Sequence, residues 1–310
     1  LGLGHVRGDD RKGWKIPDKD LEGERLDLLL RTALAQHRIP DALRGLHPTH
    51  PQYSALKQAL AITDPSDSKK VNRIRLNMDR WRWLPRDLGE RYIIVNVPAY
   101  YVALVEKGET QWRQKAIAGA VKTPTPMITA MASGVILNPW WEIPKSIEKE
   151  VRGKRGYVAV KNDKGKIIRW RQPPGPSTGL GQMKFVMPND EAIFLHDTNA
   201  RSRFNADIRS LSHGCIRTQN IVDLAKVLLA EGETEWTPEK VDEALEAKKT
   251  VQANFAEPLP VYIVYFSSAA ALDGRIVDYK DIYKHDGPVL EALLDATPKT
   301  PAAEEQVASR

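Results

Sequence analysis

The chain's single cysteine, Cys215, stands two residues after a histidine and two before an arginine, in the run Ser212-His213-Gly214-Cys215-Ile216-Arg217. A thiolate is the nucleophilic form of cysteine. An imidazolium and a guanidinium close by would lower the thiol pKa from its reference of about 8.5. Gly214 leaves space beside the sulfur and lets the backbone N–H groups of Gly214 and Cys215 face the oxygen of a carbonyl under attack. A nucleophile, a base and a candidate oxyanion hole thus lie within four residues. A second histidine, His196, precedes this run across a polar loop. Two other readings fit the same residues. Cys215 could be a small packed side chain beside a core histidine, or His196, His213 and Cys215 could be three ligands of a metal. Zinc sites show regular ligand spacing and a fourth ligand or water, and no other part of the chain supplies that pattern.

The rest of the composition narrows the field. With 310 residues, 42% hydrophobic and 28% charged, the chain is long enough for about two domains and can bury a core. One cysteine excludes an internal disulfide framework and a Cys-rich zinc ribbon. No run approaches the roughly 18 apolar residues that span a bilayer, and the first residues read as neither a charged nor an apolar part of a signal peptide. The net charge of +6 is local. Residues 145–171 hold ten basic and three acidic side chains, a net +7, so the remainder is close to −1. That basic run has neither a helix-turn-helix pattern nor interleaved aromatics, so nucleic acid is not an expected partner.

Elements that could position the site follow from periodicity. Residues 20–36, 52–62 and a stretch after Asp64-Pro65-Ser66 read as helices, the last with Val71, Ile74, Met78 and Trp81 on one face. After Pro85 the texture turns to short strands at 92–97, 100–105, 111–121, 134–138, 157–160, 167–171, 183–187 and 192–196. Pro98 marks a bend or an edge between the first two. Helices return after Asn220, read as an N-cap, and at Thr237-Pro238-Glu239, with a closing strand at 260–266. This pattern predicts an α+β chain whose β part is mainly antiparallel and sandwich- or barrel-like. The expected division is a helical region at 1–86, a catalytic domain at 87–296 and a disordered tail at 297–310. Trp81 and Trp83 are expected at a seam between the helices and the β domain, Trp140, Trp141 and Pro144 in sheet packing or against a bound peptide, and Gly175, Gly179 and Gly181 in a turn. Asp197 reads as an exposed strand-end carboxylate or as a group that orients a histidine.

His196 followed by Ser212-His213-Gly214-Cys215-Ile216-Arg217 resembles the signature of the L,D-transpeptidases, the YkuD-type catalytic domain. Asn77-Met-Asp-Arg-Trp-Arg-Trp-Leu-Pro85 resembles the lead-in to that domain in the larger periplasmic members. Thr123-Pro-Thr-Pro-Met127, Leu137-Asn-Pro-Trp-Trp-Glu-Ile-Pro-Lys-Ser-Ile147 and Pro174-Gly-Pro-Ser-Thr-Gly-Leu-Gly-Gln-Met-Lys-Phe185 resemble later blocks in order. The similarity covers about 77–266. Where the family often carries Asn, this chain has Arg217, itself a familiar variant.

The resemblance implies Cys215 as nucleophile, His213 as general base, and the N–H groups of Gly214 and Cys215 as oxyanion hole. His196, Ser212 and Arg217 would contact substrate, Arg217 through a carboxylate. No cofactor or metal is implied. The implied partners are peptidoglycan stem peptides, a tetrapeptide donor and an amine acceptor, with carbapenem-type β-lactams as inhibitors and a periplasmic location. The implied reaction forms a 3-3 cross-link through a thioester with release of D-alanine. Water as acceptor would make the protein an L,D-carboxypeptidase, and a protein amine would make it an attachment enzyme. A non-catalytic wall-binding module, with a silent cysteine, is the reading from another class. An insertion at about 145–175 corresponds to the segment that covers the site in larger members. It is either a solvated hairpin or a lid whose charge attracts stem carboxylates.

Overall fold

The computed structural model describes residues 4–17, 23–232, 234–271 and 275–296. Four helices open it: α1 (Gly23–Ala35), α2 (Ile39–Gly45), α3 (Pro51–Ile62) and α4 (Ser68–Trp81). Then come β1 (Arg91–Asn96), β2 (Tyr101–Glu106), β3 (Glu109–Gly119), β4 (Thr129–Leu137) and β5 (Trp141–Glu142), followed by the single turn α5 (Glu148–Val151). Strands β6 (Val158–Lys161), β7 (Ile167–Gln172), β8 (Met183–Val186), β9 (Leu195–His196), β10 (Ser210–Ser212) and β11 (Ile216–Thr218) continue the chain. Helices α6 (Ile221–Leu229) and α7 (Pro238–Glu246) lead to the long β12 (Val251–Val264), the pair β13 (Ser268–Ala270) and β14 (Ile276–Asp278), and α8 (Asp286–Ala296). Contacts divide the chain into two units, Leu1–Asp87 with Ser267–Arg310, and Leu88–Phe266.

The first unit is organised by α4. Asp67 caps it, accepting the Lys70 N–H at 3.0 Å. Periodicity predicts an apolar face, yet every residue from Leu76 to Trp81 is buried, including Asn77, Asp79 and Arg80. Burying polar groups is tolerable only when they are paired. Asp79 accepts the backbone N–H of His5 at 2.8 Å and of Val6 at 3.1 Å, and the indole N–H of Trp83 at 3.1 Å. Asn77 exchanges hydrogen bonds with Ser267, and Arg80 donates to Asp286 at 2.7 Å. One helix therefore ties the start of the chain to its last third.

That tie moves the domain boundary. Residues 267–296, expected with the catalytic domain, cluster with the helices, where Gln52 also bonds both backbone groups of Ala270. Trp83 packs in this unit's own core, with Val6, Leu76, Val289 and Leu293. Trp81 stacks on His50 at 4.2 Å between ring centres. The expected tail at 297–310, and residues 20–22 of the first expected helix, lie outside the described residues.

The second unit is built on a nine-stranded, mostly antiparallel sheet in the order β10-β3-β11-β9-β8-β4-β12-β1-β2. It closes on itself, because β3 also pairs with β2. The first half of β3 takes β2, from Glu109 opposite Glu106 to Lys115 opposite Tyr101. Its second half takes β11, with Ile117 opposite Arg217, and β10, with Gly119 opposite Ser212. The result is the barrel-like sheet that the strand pattern predicts.

Some local expectations change. β12 begins at Val251, well before the expected 260, because a register shift between Asn254 and Leu259 breaks its alternation. The expected strand at 192–196 shortens to Leu195–His196. Asn220 does precede α6, but in a left-handed conformation with no side-chain cap bond, whereas Thr237 caps α7 by accepting the Lys240 N–H.

Among the described residues no helix is long and apolar enough to cross a membrane. Because three N–H groups converge on Asp79, Asp79→Ala should leave them buried and unpaired and lower unfolding stability by about 3 kcal/mol. Urea denaturation checks it, and a loss under 1 kcal/mol would contradict the role given to α4.

Candidate active site

β10 and β11 flank β3, so the segment joining them, His213-Gly214-Cys215, crosses over the end of β3 at Gly119. The crossing is tight. Gly119 faces the backbone of residues 123–125 so closely that any Cβ would fall on the Thr123 carbonyl oxygen. Thr125 Oγ1 accepts the Gly119 N–H at 2.9 Å and donates to the Gly214 carbonyl at 2.6 Å. Thr123 Oγ1 and the Ala120 N–H both reach the Ser212 carbonyl. Gly214 itself has φ +117°, a conformation closed to other residues without strain.

Ser212 has a different task from the one expected. Its hydroxyl donates to the Cys215 carbonyl at 2.6 Å and accepts the Gly214 N–H at 3.1 Å. Although Ser212 lines the cavity, its hydroxyl braces the turn. The same bond occupies the Gly214 N–H, which corrects its assignment to an oxyanion hole.

Cys215 opens onto a cavity of about 620 Å³ whose wall also carries His213, Ser212, His196 and Arg217. The floor is a row set by strand register. Lys184 on β8 pairs with His196 on β9, and His196 pairs with Arg217 on β11. Directly paired residues present their side chains on one face of a sheet. Lys184 also lies 4.9 Å over the Phe194 ring. Among the described residues neither Lys184 nor Arg217 forms an ion pair with a carboxylate, and the Arg217 Nε is buried with no hydrogen-bond partner. Two cations thus face the cavity without a carboxylate in ion-pair contact, although Glu142 and Glu191 also line it and Glu142 acts on Lys184 from a distance.

Electrostatics at the thiol oppose the expectation. Burial raises the Cys215 pKa above its ordinary value, and the opposing pull of the Phe194 backbone N–H, Arg217 and Lys184 does not overcome it. The resting group is a thiol whose Sγ lies 3.8 Å from the Ala192 carbonyl oxygen. His213 is half exposed, its Nε2 3.5 Å from Glu150 Oε1 on α5. No hydrogen bond joins His213 to Cys215 here, so no thiolate–imidazolium pair offsets the burial.

His196 is buried, with Nδ1 2.5 Å from the Asp197 carbonyl oxygen. Burial first, then Arg217, pushes its pKa down to about 4, so the ring is neutral at pH 7. Asp197 holds this histidine through its backbone carbonyl and not through its carboxylate. Its carboxylate is buried, accepts the Gln182 N–H at 2.9 Å and pairs with Arg201 at 3.0 Å.

Residues 145–175 are more than a hairpin. β5, β7 and β6 form a three-stranded sheet beside α5, with an apolar core of Ile143, Ile147, Val151 and Trp170. Trp141, Ile143, Pro144 and Ile147 wall the cavity, so Trp141 and Pro144 are more than sheet packing. Trp140 carries the Arg171 guanidinium at 4.1 Å, and Trp141 lies hard against Gly179. Among the described residues no group of three or more His, Cys, Asp or Glu side chains is arranged to hold a metal.

Residues 90–258 match the family model of the YkuD L,D-transpeptidase catalytic domain. The chain belongs to the L,D-transpeptidase family. Residues 3–60 match a scaffold-domain model. A Haemophilus influenzae protein provisionally named as an L,D-transpeptidase is 29% identical over 283 residues, 82% of this chain and 57% of its own length. The chain thus spans little over half of that relative. A crystal structure of an Enterococcus faecium L,D-transpeptidase is 13% identical, covering 57% of this chain and 50% of its own, with TM-score 0.32. L,D-transpeptidase 3 of Mycobacterium tuberculosis, in complex with a faropenem-derived adduct, is 10% identical over 56% of this chain and 60% of its own, with TM-score 0.30.

Lys184, Phe194 and Glu150 were not singled out from the sequence. The alternation of β8, with Met183 and Phe185 buried inward, puts Lys184 on the opposite face, but only register brings it beside His196. Two outcomes follow for this L,D-transpeptidase domain. Alkylation of Cys215 by iodoacetamide should have its pH inflection above that of free cysteine, and Lys184→Met should move it higher. An inflection at or below that of free cysteine would contradict the burial effect.

The second concerns His196. Below its ordinary 6.5 the unfolded chain takes up a proton that the folded chain refuses until about pH 4. Stability therefore falls as pH drops through that window, by up to about 1.4 kcal/mol per unit. Calorimetry of wild type and His196→Gln from pH 7 to 4 should show the shallower decline in the variant.

Proposed function

We propose that the protein is a periplasmic peptidoglycan L,D-transpeptidase with Cys215 as nucleophile and His213 as general base. The observation that carries this reading is the thiol set beside two cations, Lys184 and Arg217, neither of which has a carboxylate in ion-pair contact among the described residues. A tetrapeptide stem ends in the carboxylate of D-alanine, next to the bond to be broken. That anion suits the Lys184–His196–Arg217 floor and would set the scissile carbonyl over Sγ. A neutral His196 keeps the row at two charges and offers its ring to the donor.

In the first half-reaction Cys215 Sγ attacks the carbonyl of the third stem residue, and His213 takes the thiol proton. Reaching the sulfur requires His213 to turn from its contact with Glu150. The Cys215 N–H is the donor left for the developing oxyanion, since Ser212 holds that of Gly214. The carbon–nitrogen bond breaks, His213 protonates the leaving D-alanine amine, and a thioester remains. A side-chain amine of a second stem then attacks, forming the 3-3 amide as the sulfur leaves. The insertion's apolar wall limits access of water to the thioester.

β-Lactams carry a reactive carbonyl close to a carboxylate, so a carbapenem should acylate the same sulfur. Intact mass spectrometry after carbapenem treatment should show one adduct on wild type and none on Cys215→Ala, with Arg217→Gln acylated at least tenfold more slowly. No adduct on wild type between pH 6 and 9 would overturn the assignment of Cys215.

A further inference from the structure

We infer that Glu150 is the docking site for the ammonium group of the acyl acceptor, and so decides whether the thioester is aminolysed or hydrolysed. The inference rests on the transpeptidase reading above and deepens it.

A primary side-chain amine has an unperturbed pKa near 10.4 and arrives as an ammonium ion. It needs a carboxylate to hold it and a base to deprotonate it, both within reach of the thioester. The cavity offers these on its two sides. Lys184 and Arg217, in the row beside Cys215, would repel a cation there. On the other side Glu150 Oε1 lies 3.5 Å from His213 Nε2. Glu150 is half exposed, and His213 is its one ion-pair partner among the described residues. Two carboxylates line the cavity itself, Glu142 and Glu191, and Glu142 pairs with Arg169 at 3.1 Å. Glu150 is not in that lining and reaches the cavity through its contact with His213, which is.

Glu150 is also held in place. It precedes Val151, which is buried with Ile147 and Trp170 in the core of the insertion, and residues 146–147 of the same turn line the cavity. Glu148 and Glu150 offset Lys149 and Arg152 on this turn, so the turn is locally neutral within an otherwise strongly basic segment. A solvent-exposed pair of this kind is weak, and an incoming ammonium can displace the histidine from it.

The step balances. The bound ammonium gives one proton to solvent as it becomes a free amine. Its nitrogen then attacks the thioester carbonyl, the C–N bond forms and the C–S bond breaks. The second proton passes to His213 and from it to the departing Cys215 sulfur. Water, being neutral, gains nothing from docking at Glu150.

The test uses the full chain with a purified disaccharide-tetrapeptide as donor and acceptor, comparing wild type with Glu150→Gln. Cross-linked dimer, tripeptide and D-alanine are quantified by mass spectrometry. The expected result is a roughly tenfold fall in the dimer-to-tripeptide ratio and a matching rise in the apparent KM for acceptor. Carbapenem acylation of Cys215 should stay within twofold of wild type. An unchanged ratio overturns the inference. A variant that loses acylation in step with dimer formation also overturns it, because Glu150 would then only position His213. Wild-type protein that releases no D-alanine would instead defeat the transpeptidase reading itself.

Discussion

β3 has to satisfy different neighbours along its two halves, and the site depends on that arrangement. β2 occupies its first half, and β10 and β11 flank its second, so the chain between β10 and β11 must pass over the end of the strand. Such a crossing leaves backbone groups that no ladder can pair, and unpaired groups in a buried turn are costly. Thr125 and Ser212 satisfy them with short hydroxyl bonds. Those bonds hold Cys215 at the cavity and spend the Gly214 N–H on structure rather than on catalysis.

Burial and charge then compete at the sulfur. The cavity wall withdraws the thiol from water, and that effect is larger than the pull of Arg217 and Lys184. The thiol therefore stays protonated at rest, with His213 turned to Glu150 and not bonded to it. The same burial keeps His196 neutral between two cations. The floor therefore carries two positive charges, while the insertion brings the carboxylate of Glu150 to 3.5 Å from His213.

The insertion and α4 solve a similar problem in separate units. Each carries polar or charged residues into a packed setting. The insertion manages with its own apolar core under a charged exterior. In α4, Asn77, Asp79 and Arg80 are each matched to a partner far away in sequence. The block from Asn77 to Pro85, noticed first for its resemblance, thus includes the buried polar centre of the helical unit.

Much was legible in the residues themselves. Five helices, most strands, the barrel-like β class and the Ser212–Arg217 run follow from periodicity, turn residues and one conspicuous cysteine, because these are local signals. Residue type and spacing alone put a nucleophile, a base and an arginine together. Other features were decided only in three dimensions. Register placed Lys184 beside His196, and the folded insertion brought Glu150 to His213. Burial set the direction of the thiol's pKa, and the partners of α4 drew residues 267–296 to the helices. Each of these depends on which distant atoms become neighbours and on how much water they lose, and neither quantity is encoded in the order of nearby residues.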